Sequence, residues 1–119
     1  MQRFTDIKVW QRSHALVLEV YRLTVAFPAE ERFGLTSQMR RAATSVPANI
    51  AEGSKRRTNA EYARFLNLAE GSLAETEYLL LLARDIGHLS VKQATSLLAE
   101  ADEIAGMLHH LRLKVESAR

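Results

Sequence analysis

The chain contains no cysteine, which excludes disulfides, thiolate metal sites and cysteine nucleophiles and is compatible with a cytoplasmic protein. Proline occurs twice and glycine five times, mostly at points of punctuation, and no segment is low-complexity or internally repeated. Long apolar runs are missing as well. The longest, residues 79–83, falls far short of the ~20 residues that cross a bilayer, so no membrane partner is expected. The first ten residues, MQRFTDIKVW, carry Asp6 and lack the apolar run of a signal peptide. No alternating β-branched run bounded by turn residues occurs, so no strand is expected.

What is present suits one soluble domain over residues 1–119. Hydrophobic residues make up 47% and charged residues 25%, and the length allows one real core but not two. The net charge of +2 is unevenly placed. Residues 1–57 hold 10 Lys and Arg against 5 Asp and Glu, while residues 58–119 hold 6 against 9. Such asymmetry fits an anionic partner on one side, or two complementary faces of one bundle.

Four helical segments follow from apolar spacing. After a lead-in at residues 4–6, with Thr5 or Asp6 as the expected N-cap, Ile7, Trp10, His14, Val17, Tyr21 and Thr24 form one stripe. Val9, Leu16, Val20, Leu23 and Phe27 form a second beside it. Pro28 stops this helix, because the residue before proline is pushed from the helical region. A connection with one helical turn leads to a second helix, capped by Thr36 or Ser37 and running to about Gly53. Thr58 and Glu61 make a capping box for a third helix that ends at Ile86–Gly87. Ser90 and Gln93 make another for a fourth that runs to about Glu116. In the third, Ala69, Gly71, Ser72 and Ala74 form a patch of small residues that would let the second helix approach closely. The expected fold is all-α: an antiparallel up-and-down four-helix bundle.

The second helix is the unusual one. In QMRRAATSVPANIAEGSKRR, residues 38–57, no charge occurs between Arg41 and Glu52, so for about three turns it lacks the polar face of an ordinary surface helix. Leu35, Met39, Ala42, Val46 and Ile50 make its core stripe. Pro47 removes a backbone hydrogen bond and crowds the Ala43 carbonyl, at a cost of ~3 kcal/mol. Either Ser45 caps a fresh helix, or one helix continues with a kink; the unbroken register from Met39 to Ile50 favours the kink. A helix so poor in charge is expected at a subunit contact as well as in its own core, through Ala43, Thr44, Pro47, Ala48, Asn49, Ala51 and Glu52.

No catalytic constellation emerges. No Glu-x-x-His pair suited to a di-iron bundle site is present, so no metal or cofactor is expected. His109 and His110 are adjacent, about 100° apart on a helix, and read as exposed; His14 falls on an apolar stripe and reads as a core or interface histidine. The basic residues are the better candidates for function. Arg40 and Arg41 open the second helix, Lys55, Arg56 and Arg57 follow its end, and Arg64 lies in the third. About 27 Å of helix separates the two groups at ~1.5 Å per residue, so they form one basic surface only if an oligomer brings copies together. Repeated around a ring, they would attract phosphate backbones of RNA or DNA. No aromatic residue interleaves with them, so base stacking is not expected. Otherwise they are a solvated loop with internal partners such as Glu52 and Glu61, in an oligomeric scaffold whose arginines serve subunit contacts or a protein partner.

The residues FTDIKVWQRSHALVLEVYRLTVAFPAEERFGLTSQMRRAATSVPANIAEGSKRR, with EYARFLNLAEGSLAETEYLL in the third helix, resemble the bacterial four-helix-bundle proteins linked to 23S ribosomal RNA intervening sequences, also labelled S23 ribosomal proteins. The likeness runs through about Leu89; the last helix matches in pattern only. It implies a homopentamer, a ring with a central channel. It also implies kinship with the accessory protein of diversity-generating retroelements, a basic pentamer that binds nucleic acid and reverse transcriptase. Carried onto this sequence, the family pattern points to Arg40, Arg41, Asn49, Glu52, Gly53 and Arg57.

Overall fold

Each helix owes its start and stop to a local device. The computed structural model of the chain describes residues 3–118; residues 1, 2 and 119 of the expected domain lie outside the described residues. Helix α1 spans Lys8–Thr24, α2 Leu35–Gly53, α3 Asn59–Asp85 and α4 Val91–Ser117. Short 3-10 turns at Phe4–Asp6 and Ala29–Glu31 precede α1 and α2. No strand occurs among the described residues.

The expected caps are partly replaced. Thr5 and Asp6 lie within the first 3-10 turn, and Ile7 stands at the α1 N-cap without a side-chain bond. Instead, the Gln11 side-chain amide donates to the Thr5 carbonyl at 2.9 Å, tying α1 to its lead-in. Thr36 and Ser37 are already inside α2, whose N-cap is Gly34. The Leu35 amide donates to the Glu31 carboxylate at 3.3 Å, so the capping oxygen comes from the preceding turn. Thr58 caps α3 by accepting from the Glu61 amide at 3.1 Å. Glu61 does not reach back; its carboxylate pairs with Arg64, which removes the second half of the expected box. Ser90 and Gln93 make the full reciprocal box at α4.

The end of α3 explains Gly87. Its φ is +88°, and the Gly87 and His88 amides donate to the Arg84 and Ala83 carbonyls at 3.1 and 2.8 Å. This is the Schellman arrangement, which needs a left-handed residue that glycine supplies without steric penalty.

Among the described residues α1 packs on α2 and α4, and α3 packs on α2 and α4, while Cα atoms of the diagonal pairs stay more than 8 Å apart. That is a four-helix bundle, 48 Å long and 23 by 20 Å across. The most extensive contact is α2 on α3. The α2 stripe of Leu35, Met39, Ala42, Val46 and Ile50 is buried as its spacing predicts. It continues through Pro47 without a break, so Ser45 caps no second helix. Side-chain packing on both sides of the proline holds the register that the missing hydrogen bond would otherwise loosen.

Small residues permit the α2–α3 approach at two places. Ser72 Oγ donates to Ser45 Oγ at 3.0 Å, next to fully buried Ala69. Gly53 lies so near α3 that a Cβ there would stand 2.6 Å from the Phe65 Cβ. Gly71 and Ala74 are exposed and take no part.

At the other end of the bundle, His88 joins the α3–α4 corner to the α1–α2 connection. Its Nε2 lies 3.0 Å from the Glu31 carboxylate, and its ring lies 5.4 Å from that of Phe27. The hydrogen bond from His88, and then that from the Leu35 amide, hold the Glu31 carboxyl below its ordinary value. Folding therefore favours the ionised form. Its contribution is present above the unfolded-state value of about 4.3 and is lost as pH falls through the lower folded value. Glu31→Gln is expected to lower the urea midpoint above pH ~5 and to converge with the unsubstituted protein in stronger acid. A constant difference across that range would show that the ionised Glu31 carboxylate contributes nothing.

Candidate nucleic-acid interface

The six expected basic residues have three different fates. Arg40, half-buried on α2, donates from Nε to Thr24 Oγ1 at 2.9 Å and from Nη2 to the Tyr21 carbonyl at 3.4 Å. Its guanidinium also lies 4.5 Å from the centre of the Tyr21 ring. Arg40 thus satisfies a carbonyl near the end of α1 and ties α1 to α2. Arg64 pairs with Glu61 at 3.1 Å across one helical turn. Arg41, Lys55, Arg56 and Arg57 are exposed, and none has a carboxylate within 4 Å among the described residues. The expected partner Glu52 takes none of them, while Glu61 takes only Arg64.

Two aromatics stand beside these cations: Phe65, which follows Arg64 directly in sequence, and Tyr21. Arg56 and Arg64 lie 5.5 and 4.7 Å from the Phe65 ring centre, Arg40 covers Tyr21, and Arg32 lies 5.3 Å from the Phe33 ring centre. Phe65 is buried at 8% exposure, whereas Phe33, at 88%, is the most exposed large apolar residue among the described residues. The expectation that no aromatic accompanies the charge is therefore corrected. Arg40–Tyr21 and Arg56–Phe65 meet across a connection, whereas Arg64–Phe65 and Arg32–Phe33 are sequence neighbours.

The residues expected at a subunit contact also divide. Ala43 is 1% exposed and Pro47 is buried in the core of this same chain. Neither side chain offers surface to a second subunit. Thr44, Ala48 and Glu52 are exposed, and Asn49 and Ala51 half-buried. Asn49 donates from Nδ2 to the Ser45 carbonyl at 2.8 Å. The outward strip of α2 is thus small and nearly uncharged between Arg41 and Glu52. His14 is exposed and not a core histidine; its ring stacks on Trp10 at 5.0 Å.

Sequence reading missed the ion pairs between helices. Arg12 on α1 donates to Glu100 on α4 at 2.7 and 2.9 Å and to Glu103 at 2.7 Å. The hydrogen bond to Glu100, then that to Glu103, hold the Arg12 guanidinium above its usual pKa, and the bond from Arg12 lowers that of Glu100. Arg112 on α4 bonds Glu70 on α3 and Glu116 one turn away. The partners are 88 and 42 residues apart, so no local pattern could have paired them. These contacts use cations for the bundle itself and leave none of them available to a ligand.

No group of three or more His, Asp or Glu side chains able to hold a metal occurs among the described residues. Burial, and then the Asp102 charge, raise the Glu77 pKa. No described helix is long and apolar enough to cross a membrane. What the surface offers is exposed cations on α2 and the α2–α3 connection, with a groove beside Arg41 bounded by α2 and α3.

A family model described as 23S rRNA-intervening sequence protein matches residues 5–110. A crystal structure from Bacteroides thetaiotaomicron, of a protein with unknown function from the S23 ribosomal protein family, is 26% identical over 87% of this chain and 97% of that one, with a TM-score of 0.79. The comparison with curated proteins gives no match.

Proposed function

The chain belongs to the family of 23S rRNA-intervening sequence proteins, and from that premise we propose a cytoplasmic, non-enzymatic homo-oligomer that binds RNA or DNA. The observation that carries this reading is the set Arg41, Lys55, Arg56 and Arg57, exposed and without carboxylate partners among the described residues. Cations that neutralise nothing within their own chain are available to a polyanion. The family description, with its intervening sequence of ribosomal RNA, fits a partner of that charge.

The assembly is the homopentamer that the sequence resemblance implies, built from one antiparallel up-and-down domain over residues 1–119 with α2 kinked at Pro47. Contacts between helix ends support the antiparallel course. Asn59 at the start of α3 donates to the Ala118 carbonyl beyond α4 at 3.3 Å, and His88 after α3 meets Glu31 before α2. The strip of Thr44, Ala48, Asn49, Ala51 and Glu52 supplies the subunit contact. A ring repeats each cation five times, which turns two separate clusters into a continuous attractive surface.

The second reading is an oligomeric scaffold or protein-interaction module whose arginines serve its contacts; the internal use of Arg40 favours it. Replacing Arg41, Lys55, Arg56 and Arg57 together with Gln separates the two. Nucleic-acid binding predicts affinity that falls with salt, with a log–log slope of about −0.9 per neutralised duplex phosphate. The fourfold variant then shows weaker binding and a shallower slope by fluorescence anisotropy, with its light-scattering mass unchanged. A variant that loses its assembly, from a protein that ignores nucleic acid, supports the scaffold.

A further inference from the structure

Phe33 is large, apolar and 88% exposed, and it needs a physical reason. It stands in the short connection between the Ala29–Glu31 turn and α2, a segment held at one end by the Glu31 cap and the His88 contact. The ring lines a solvent-open groove of about 540 Å³, bounded on the α2 side by Gln38, Arg41 and Ser45 and on the α3 side by Ser72 and Glu75. That volume lies within the ~300–1,000 Å³ typical of small-molecule sites.

The chemistry of this groove differs along its walls. Phe33 offers a ring for stacking and Arg41 a guanidinium with no carboxylate within 4 Å among the described residues; the Arg32 guanidinium lies 5.3 Å from the Phe33 ring centre but does not line the groove. Gln38 brings an amide, and Glu75 a carboxylate with no ion-pair partner among the described residues. Arg41 and Glu75 line the same groove without closing on each other, so both remain open to a ligand. A carboxylate repels phosphate and accepts from an exocyclic amine. The arrangement suits a nucleotide with its phosphate at Arg41 and its base edge toward α3.

The other aromatics beside the cations lack this combination. Phe65 is buried, and Tyr21 is half as exposed as Phe33 and does not line the groove of Arg41. A base inside a duplex has its faces covered by its neighbours, so only an unpaired base can use a protruding ring.

We propose that the groove at Phe33 is a subsite for single-stranded nucleic acid, in which an unpaired base stacks on Phe33 and its phosphate is held by Arg41. This deepens the nucleic-acid reading and rests on it. The other occupant of an exposed phenylalanine, a second copy of the chain, is an outcome of the test.

The test uses the full chain, a fluorescein-labelled single-stranded RNA and a duplex of the same sequence. Anisotropy is measured for the unsubstituted protein, Phe33→Ala and Phe33→Trp, with light-scattering mass recorded for each. Loss of one stacked base corresponds to about 5- to 150-fold in affinity. Phe33→Ala is expected to weaken single-strand binding within that range, with the salt slope unchanged and duplex binding within about twofold, and Phe33→Trp to retain it. Single-strand binding that survives Phe33→Ala overturns the stacking subsite and leaves the electrostatic reading standing. A protein that binds neither RNA brings down both. A Phe33→Ala variant whose mass drops assigns Phe33 to a subunit contact and also overturns the subsite.

Discussion

Truncation of Ile50 to alanine is expected to lower the melting temperature by about 8–20 °C at fixed protein concentration. Ile50 is 0% exposed, near the C-terminal end of α2. Removing a buried isoleucine side chain costs about 2–5 kcal/mol, with the upper end reached where neighbours cannot relax into the cavity. Relaxation is limited here, because many of the residues that bring α2 and α3 together are alanine, serine and glycine. Ala42, Ala43, Ala63 and Ala69 are all buried and have no side-chain length with which to fill a void. At roughly 4 °C per kcal/mol for a chain of this size, the cost gives the stated shift. Ile50→Val should lose about 0.5–1.5 kcal/mol, and the graded pair checks that the cavity is responsible. A shift of only a degree or two for the alanine variant would mean that α2 is held mainly from outside this core.

Gly53→Ala is the second large effect, and its sign is opposite to the usual one. Inside a helix, replacing glycine by alanine ordinarily stabilises by about 0.5–1 kcal/mol. At Gly53 the new Cβ would stand 2.6 Å from the Phe65 Cβ and 3.1 Å from Tyr62 Cδ1. The nearer atom is joined directly to the α3 backbone, so relief requires the two helices to separate. Overpacking of this kind costs about 1–3 kcal/mol. Gly71 and Gly106, also helical, would place a Cβ with nothing within 4 Å. Gly71→Ala and Gly106→Ala should therefore raise the denaturation midpoint while Gly53→Ala lowers it. Three stabilising alanines would refute the close approach. The contact also gives a steric reason for Gly53 in the family pattern: α3 leaves no room there for a side chain.

The candidate site was less legible than the fold. Arg41, Lys55, Arg56 and Arg57 could be singled out because like charges lie together along the chain. Arg40, adjacent to Arg41, could not be told apart from it. Their separate fates depend on a turn of about 100° per residue and on Thr24 and Tyr21 arriving from α1. Phe33 lies eight positions before Arg41, beyond any local pattern, and joins it only where the connection folds back beside α2.

The sequence by itself determined the number and type of elements. Apolar spacing marked four helices, Gly87 and the Ser90–Gln93 box marked two of their ends, and the α2 core stripe was buried as its spacing predicts. These are local consequences of helical period and backbone chemistry. Only the tertiary structure decided which cations remain free, where glycine is obligatory and which aromatic stands beside the charge. Arg12 meets Glu100 and Arg112 meets Glu70 across neighbouring helices. Gly71 faces open space while Gly53 meets Phe65. Such contacts depend on distances between helices distant in sequence, which packing sets and local periodicity does not encode.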